Sequence, residues 1–254
     1  MPNPLISNAY MKNPSHPYDL PKLRSVGAFT LMETVIAIGV LVVLLTGFMA
    51  VFTPAAQGIR RSISSEQAAR LTTTLENELA TLRKGQETPE PATAFDKAFN
   101  WIKGGNAAAT AIFVYQYRGN PTSIRADGTP SPMTTITGEP GKNYIVQSMA
   151  RRLTDAELEN DLKAIEGSVF FVKPTQLVFI AGELKPGNPG KIYSTNGLEA
   201  ADVAAYKEAV IAFSAEFHNV PTKSIGYLKS AAFTTRFNST TIKPIFTRNL
   251  AVRR

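Results

Sequence analysis

The 254-residue chain contains no cysteine. That removes disulfides, thiol nucleophiles and thiolate-bound zinc in one step. Histidine is almost as scarce, with only His16 and His218, and tryptophan occurs once, at Trp101. The side chains that usually carry acid–base or metal chemistry are therefore few. No G-x-G-x-x-G, G-x-x-x-x-G-K-[ST], H-E-x-x-H, G-x-S-x-G or EF-hand pattern is present, and each of those chemistries needs its spacing intact. "EPGKN" (139–143) shares only a glycine and a lysine with a phosphate loop and reads as a turn. Asp127-Gly128 lacks the companion carboxylates of a calcium loop and reads as a type I turn. No catalytic residue, metal site or cofactor is predicted. Asn238-Ser239-Thr240 fits a glycosylation sequon, a match that short stretches often make by chance.

Acidic residues are missing from two places. After Glu216 there is none, while Lys223, Lys229, Arg236, Lys243, Arg248, Arg253 and Arg254 follow and account for the whole formal charge of +7. A basic end of this kind can attract phosphate, with Arg248, Arg253 and Arg254 as candidate nucleic-acid contacts. The plainer reading is a solvated basic face. The second gap is larger: between Glu33 and Arg60 lie 26 residues without any charge.

What fills that gap is apolar. Most of 34–52 is Val, Ile, Leu, Ala, Phe or Met, long enough to cross a bilayer as a helix and too long for the apolar core of a cleavable secretory signal. Gly39 and Gly47 weaken a soluble helix but are common in membrane helices. The segment before it holds Pro2, Pro4, Pro14, Pro17 and Pro21 with Lys12, Lys22 and Arg24, so it reads as a leader that cannot pack as a helix. Glu33 is the odd residue. A carboxylate at this boundary either sits among headgroups or is drawn inward by a cation, and no cation stands nearby in sequence.

The stretch "AFTLMETVIAIGVLVVLLTG" (28–47) resembles the amino-terminal segment of type IV prepilins and pseudopilins: a small residue, then Phe-Thr-Leu-x-Glu, then an apolar run. The resemblance covers about 30 residues. It implies that residues 1–28 are a leader removed on the cytoplasmic face by a prepilin peptidase, which then methylates the new amine of Phe29. The family usually carries glycine before the cut, whereas this chain has Ala28, with Gly27 one residue earlier. Cutting after Ala28 makes Glu33 the fifth mature residue and keeps the family spacing; cutting after Gly27 makes it the sixth. The resemblance also implies that Glu33 meets the amino terminus of a neighbouring subunit within an apolar bundle. Such a pair sets register, because losing one partner strands a buried charge. About 226 mature residues exceed the length of many major pilins, which implies a minor or specialised subunit; Ala28 and this length also resemble the pilin-like Verru_Chthon cassette group.

The predicted fold class is α+β: a long amino-terminal helix packed on an antiparallel sheet, as in pilins. Residues 29–53 form its membrane or filament-core part and 54–84 an amphipathic continuation, with Gly47 and Pro54 as points of bending. Ile59, Ile63, Leu71, Leu75, Leu79 and Leu82 recur at steps of three or four and predict one buried stripe ending at Gly85. Residues 85–254 form the sheet domain, opening on a linker over 85–94. The local signals there predict a helix at Ala94–Ile102, strands at 111–117 and 143–149, and a loop between them. They further predict a helix near Asp155–Ile165 opened by a Thr154/Glu157 capping box, and two strands within 168–182 joined at Lys173–Gln176. The segment 200–220 reads as helix turning into strand, and Phe233, Thr235 and Phe237 alternate as a strand that turns at Asn238-Ser239.

These readings converge on a structural subunit of a type IV pilus or of a type II secretion-like pseudopilus. It would be anchored once in the inner membrane with its carboxyl-terminal domain in the periplasm, and after assembly would belong to a periplasmic or cell-surface filament. Its partners would be the prepilin peptidase, the membrane and other pilin-like subunits. Two rival readings remain: a minor pilin that binds DNA through its basic end, and a single-pass membrane enzyme with a site around His218 or Glu216.

Overall fold

The computed structural model describes residues 30–86, 92–135, 138–180 and 182–254. They form two compact units, one ending at Thr53 and the other beginning at Pro54. Helix α1 spans Leu31–Leu79 and contains Pro54 without interruption. Gly47 and Pro54 are both helical, so neither melts the helix, although Pro54 brings no N–H to the ladder.

In the second unit, seven strands pair antiparallel throughout: β1 (Ile112–Ile124), β2 (Pro130–Pro132), β3 (Ile145–Arg152), β4 (Ile165–Ile180), β5 (Glu183–Pro186), β6 (Val210–Asn219) and β7 (Phe246–Arg253). The order is β2-β1-β4-β6-β7, with β3 alongside β1 and β5 on the far end of β4. Both faces are covered. On one, Leu71, Leu75 and Leu79 of α1 and Phe95, Phe99 and Ile102 of α2 (Ala94–Gly104) share a core with Val114, Phe170, Val172, Phe213 and Phe217. On the other, Phe113, Tyr115 and Phe171 pack with Leu158 and Leu162 of α3 (Glu157–Leu162), Leu228 of α4 (Ile225–Leu228) and Phe233 and Phe237 of α5 (Ala231–Asn238). Neighbouring residues such as Phe170 and Phe171 thus point to opposite cores, which is why the stretches Ile112–Tyr115 of β1 and Val169–Val172 of β4 are apolar without alternation.

The structure departs from the sequence reading in several places, each with a local cause. Helix α1 stops at Leu79, short of Lys84, and Leu82 lies beyond it. The buried stripe starts only at Ala68, and Ile59 and Ile63 are exposed. Strand β1 runs on to Ile124 and pairs with β2, so part of the predicted 119–142 loop is a hairpin. The segment 168–182 holds no break between two strands, because β4 passes straight through Pro174. Pairing with β1 ends at Val172, so Pro174 lies where one side of the strand is free, the position a strand proline tolerates. Gly167, at φ +77°, takes up the register shift between β1 and β4.

The Thr154/Glu157 capping box does not form. Ala156 is the cap of α3, Asp155 accepts from the Glu157 amide at 2.9 Å, and the Glu157 carboxylate is drawn to Arg125 instead. A capping box appears at α2, where Thr93 and Asp96 satisfy each other's backbone amides. Residues 201–209 carry no helix. Phe233–Phe237 is helical in α5, not a strand; a four-residue spacing fits both periods, and Ser230, which accepts from the Phe233 amide, decides for helix.

The end of α1 is fastened by charge. Lys97 of α2 and Glu78 of α1 are 1% and 2% exposed and lie 2.5 Å apart. Lys97 also donates to the Thr81 carbonyl and to Gln86, and Arg83 donates to the second Glu78 oxygen. Burial pulls the Lys97 ammonium pKa down, with Glu78 opposing it. Removing one partner leaves a buried charge unpaired, so Lys97→Ala should cost about 3–5 kcal/mol. Lys97 Nζ sits 5.0 Å from the Trp101 ring, which makes Trp101 fluorescence the reporter in urea unfolding of the full chain in detergent. The double substitution Glu78→Leu/Lys97→Met should recover most of the loss; no recovery would mean the pair is not what holds this junction.

Candidate functional site

The amino end of α1 is built around Glu33. Thr30 caps the helix: its hydroxyl accepts from the Glu33 amide at 3.2 Å, while its own amide and hydroxyl donate to Glu33 Oε2 at 2.9 and 3.1 Å. This reciprocal arrangement satisfies an otherwise orphaned helix-end donor. Thr30 and Glu33 carry the Thr-x-x-Glu spacing of such a cap in the sequence itself. One carboxylate oxygen is thereby held, and the other has no hydrogen bond among the described residues, on an exposed residue. Gly27, Ala28 and Phe29 lie outside the described residues.

From Leu31 to Phe52 the helix is covered by none of the described residues. Fifteen large apolar side chains from Leu31 to Phe52 are each more than half exposed. This helix, near the amino terminus, is long and apolar enough to cross a membrane. Its polar atoms are already satisfied within the chain. The hydroxyls of Thr34, Thr46 and Thr53 donate to the carbonyls of Thr30, Val42 and Met49, four residues back, at 3.3, 2.8 and 3.0 Å. In a medium without water an unpaired hydroxyl is costly, and this back-bonding removes the cost.

The basic carboxyl end is less available than its composition suggests. Arg248 and Arg253 on β7 are exposed. Arg254 is engaged within the domain: its guanidinium donates to the Tyr206 carbonyl at 2.9 Å and lies 4.7 Å from the Phe95 ring. The three arginines do not make one free patch.

His218 and Glu216 do not open onto a cleft as a catalytic pair would. The His218 ring is stacked on Phe171 at 4.8 Å and is 3% exposed, with both nitrogens unpartnered in the structure. Glu216 is half-exposed, its oxygen 3.6 Å from His218 Nε2. The buried polar chemistry lies elsewhere and is long-range. Asp161 (0% exposed) takes hydrogen bonds from Tyr115, Arg151 and Arg125, and Arg151 reaches Asp155 and Asp127 as well. Hydrogen bonds from Thr129 and Arg151 outweigh burial and hold the Asp127 carboxyl down at about 2. A cavity of about 390 Å³ lies beside this network, lined by Trp101, Arg152 and Asp155 among others. No two neighbours in sequence announce this network, and its members are all spoken for. It fixes the β1–β2 hairpin and α3 to the sheet.

Comparison with protein-family models, with curated proteins and with solved structures returns no match.

The burial of His218 should make the domain sensitive to acid. Burial, then the charge of Lys173, lowers its pKa below the ordinary 6.5; Glu216 opposes this and Arg236 of α5 adds to it. The unfolded chain therefore takes up the proton first. Stability should be complete above pH 6.5 and decline as the pH falls below it. His218→Phe keeps the stack without the titration. Between pH 7.5 and 5.5 its urea midpoint should stay level while that of the unmodified protein falls; equal slopes would remove His218 as the cause.

Proposed function

We propose that the chain is a pilin-like filament subunit, processed by a prepilin peptidase and anchored by the helix after Glu33 until it assembles. The observation that carries this reading is the pairing of an apolar helical segment whose large side chains are all more than half exposed with an acidic residue fixed at its mouth. An ordinary anchor has no need of Glu33, and a cleaved signal would discard the helix. Cleavage before Phe29 would place a new ammonium beside Thr30, in a helix whose Glu33 keeps one oxygen unengaged. On a neighbouring subunit that oxygen would receive the amine within an apolar bundle, where attraction is weakly screened and a misplaced register leaves both charges unpaired. Methylation leaves the amine charged. The sheet domain would then be the displayed part, and a minor or specialised role in a pilus or secretion pseudopilus fits its size. Binding of DNA is not part of this reading, since Arg254 is held by Tyr206 and Phe95, and no catalytic role is assigned to His218 or Glu216.

Glu33→Gln tests the pairing. Glutamine keeps the size and can still accept from Thr30, but carries no charge. In cells that make the peptidase, the variant should be cleaved and should stay in the membrane. Its incorporation into cross-linked multimers should fall at least about tenfold, as loss of an ion pair in low dielectric requires. Assembly at the normal level would sink the proposed role of Glu33.

A further inference from the structure

The two arginines that end the uncharged run are unused by the fold. Arg60 and Arg61 are exposed on α1, and among the described residues neither has a carboxylate partner. The first acidic residue after Glu33 is Glu66, and it is paired with Arg70 at 2.7 Å. Flanking them, Ile59 and Ile63 are 62% and 52% exposed, so this turn presents cations next to aliphatic side chains.

We infer that Arg60 and Arg61 bind the phosphates of anionic phospholipids at the outer face of the membrane and so fix the depth of the anchor. The inference rests on the membrane-anchored reading above. Residues 34–53 cover about 30 Å as a helix, the thickness of the hydrocarbon core. Arg60 then falls roughly 10 Å further along, and the headgroup layer occupies about the first 5–8 Å beyond the hydrocarbon. Long arginine side chains close that remainder by reaching back toward the phosphates. A guanidinium matches a phosphate with two parallel hydrogen bonds, which an ammonium cannot do. Consecutive helical residues stand about 100° apart around the axis, so the two guanidiniums address two lipids rather than chelating one.

The test uses the full chain purified in mild detergent, with phosphatidylglycerol and phosphatidylcholine as probes read by native mass spectrometry. Two retained phosphatidylglycerols are expected, one fewer in Arg60→Gln, one fewer in Arg61→Gln, and a roughly thirtyfold weaker retention in the double variant. An excess of inorganic phosphate should not displace them. Both side chains are exposed, so the variants should keep the circular dichroism of the parent. Flotation of the protein with vesicles of the two lipids checks the anchor separately. Flotation with undiminished phosphatidylglycerol retention in the double variant overturns the inference and leaves the anchor standing. Displacement by inorganic phosphate overturns it in favour of a free-anion site. Loss of flotation in the unmodified protein overturns the anchored reading and this inference with it.

Discussion

The structure depends on one unmet demand: among the described residues nothing buries the apolar side chains between Leu31 and Phe52. At about 1.5–3 kcal/mol for each large side chain taken out of water, leaving them solvated would cost tens of kcal/mol, more than a domain's whole margin of stability. In the proposed reading, lipid or other copies of the same helix would cover them. The threonine hydroxyls turned back onto their own carbonyls are consistent with either cover, since both exclude water.

The remainder of α1 meets the opposite condition. From Ala68 onward its stripe enters a core shared with α2 and one face of the sheet, and Glu78 is locked to Lys97. In the proposed filament subunit, such a junction would keep a helix held by lipid or by neighbours from being drawn out of the domain it carries. The second face, with its own aromatic core and the Arg151–Asp161 network, stiffens the sheet from behind. Between these two regimes lies the exposed turn with Ile59, Arg60, Arg61 and Ile63, which neither core claims.

How far the sequence could be read depended on how local each signal was. The uncharged run, its length and Glu33 at its mouth are contiguous, and the long helix followed from them directly. The helix at Trp101 and the strand beginning at Ile112 likewise rest on local pattern. Errors arose where one pattern fitted two periods, as with Phe233 and Phe237, or where a residue's usual meaning was cancelled by position, as with Pro174 on the free side of β4. The Glu78–Lys97 and Arg151–Asp161 pairs could not be read at all, because the fold brings together partners 19 and 10 residues apart, on different elements. At the candidate site the Thr30–Glu33 cap was legible, whereas the engagement of Arg254 with Tyr206 and Phe95 required the tertiary structure.

The account stands or falls on whether the apolar helix is retained after processing, with the cut on its amino-terminal side. The direct measurement is the intact mass of the full chain expressed with and without a prepilin peptidase. The account predicts loss of residues 1–28 and gain of one methyl group, leaving a chain that begins at Phe29 and still carries the run to Phe52. An unchanged mass, or a cut beyond the apolar run, would contradict it.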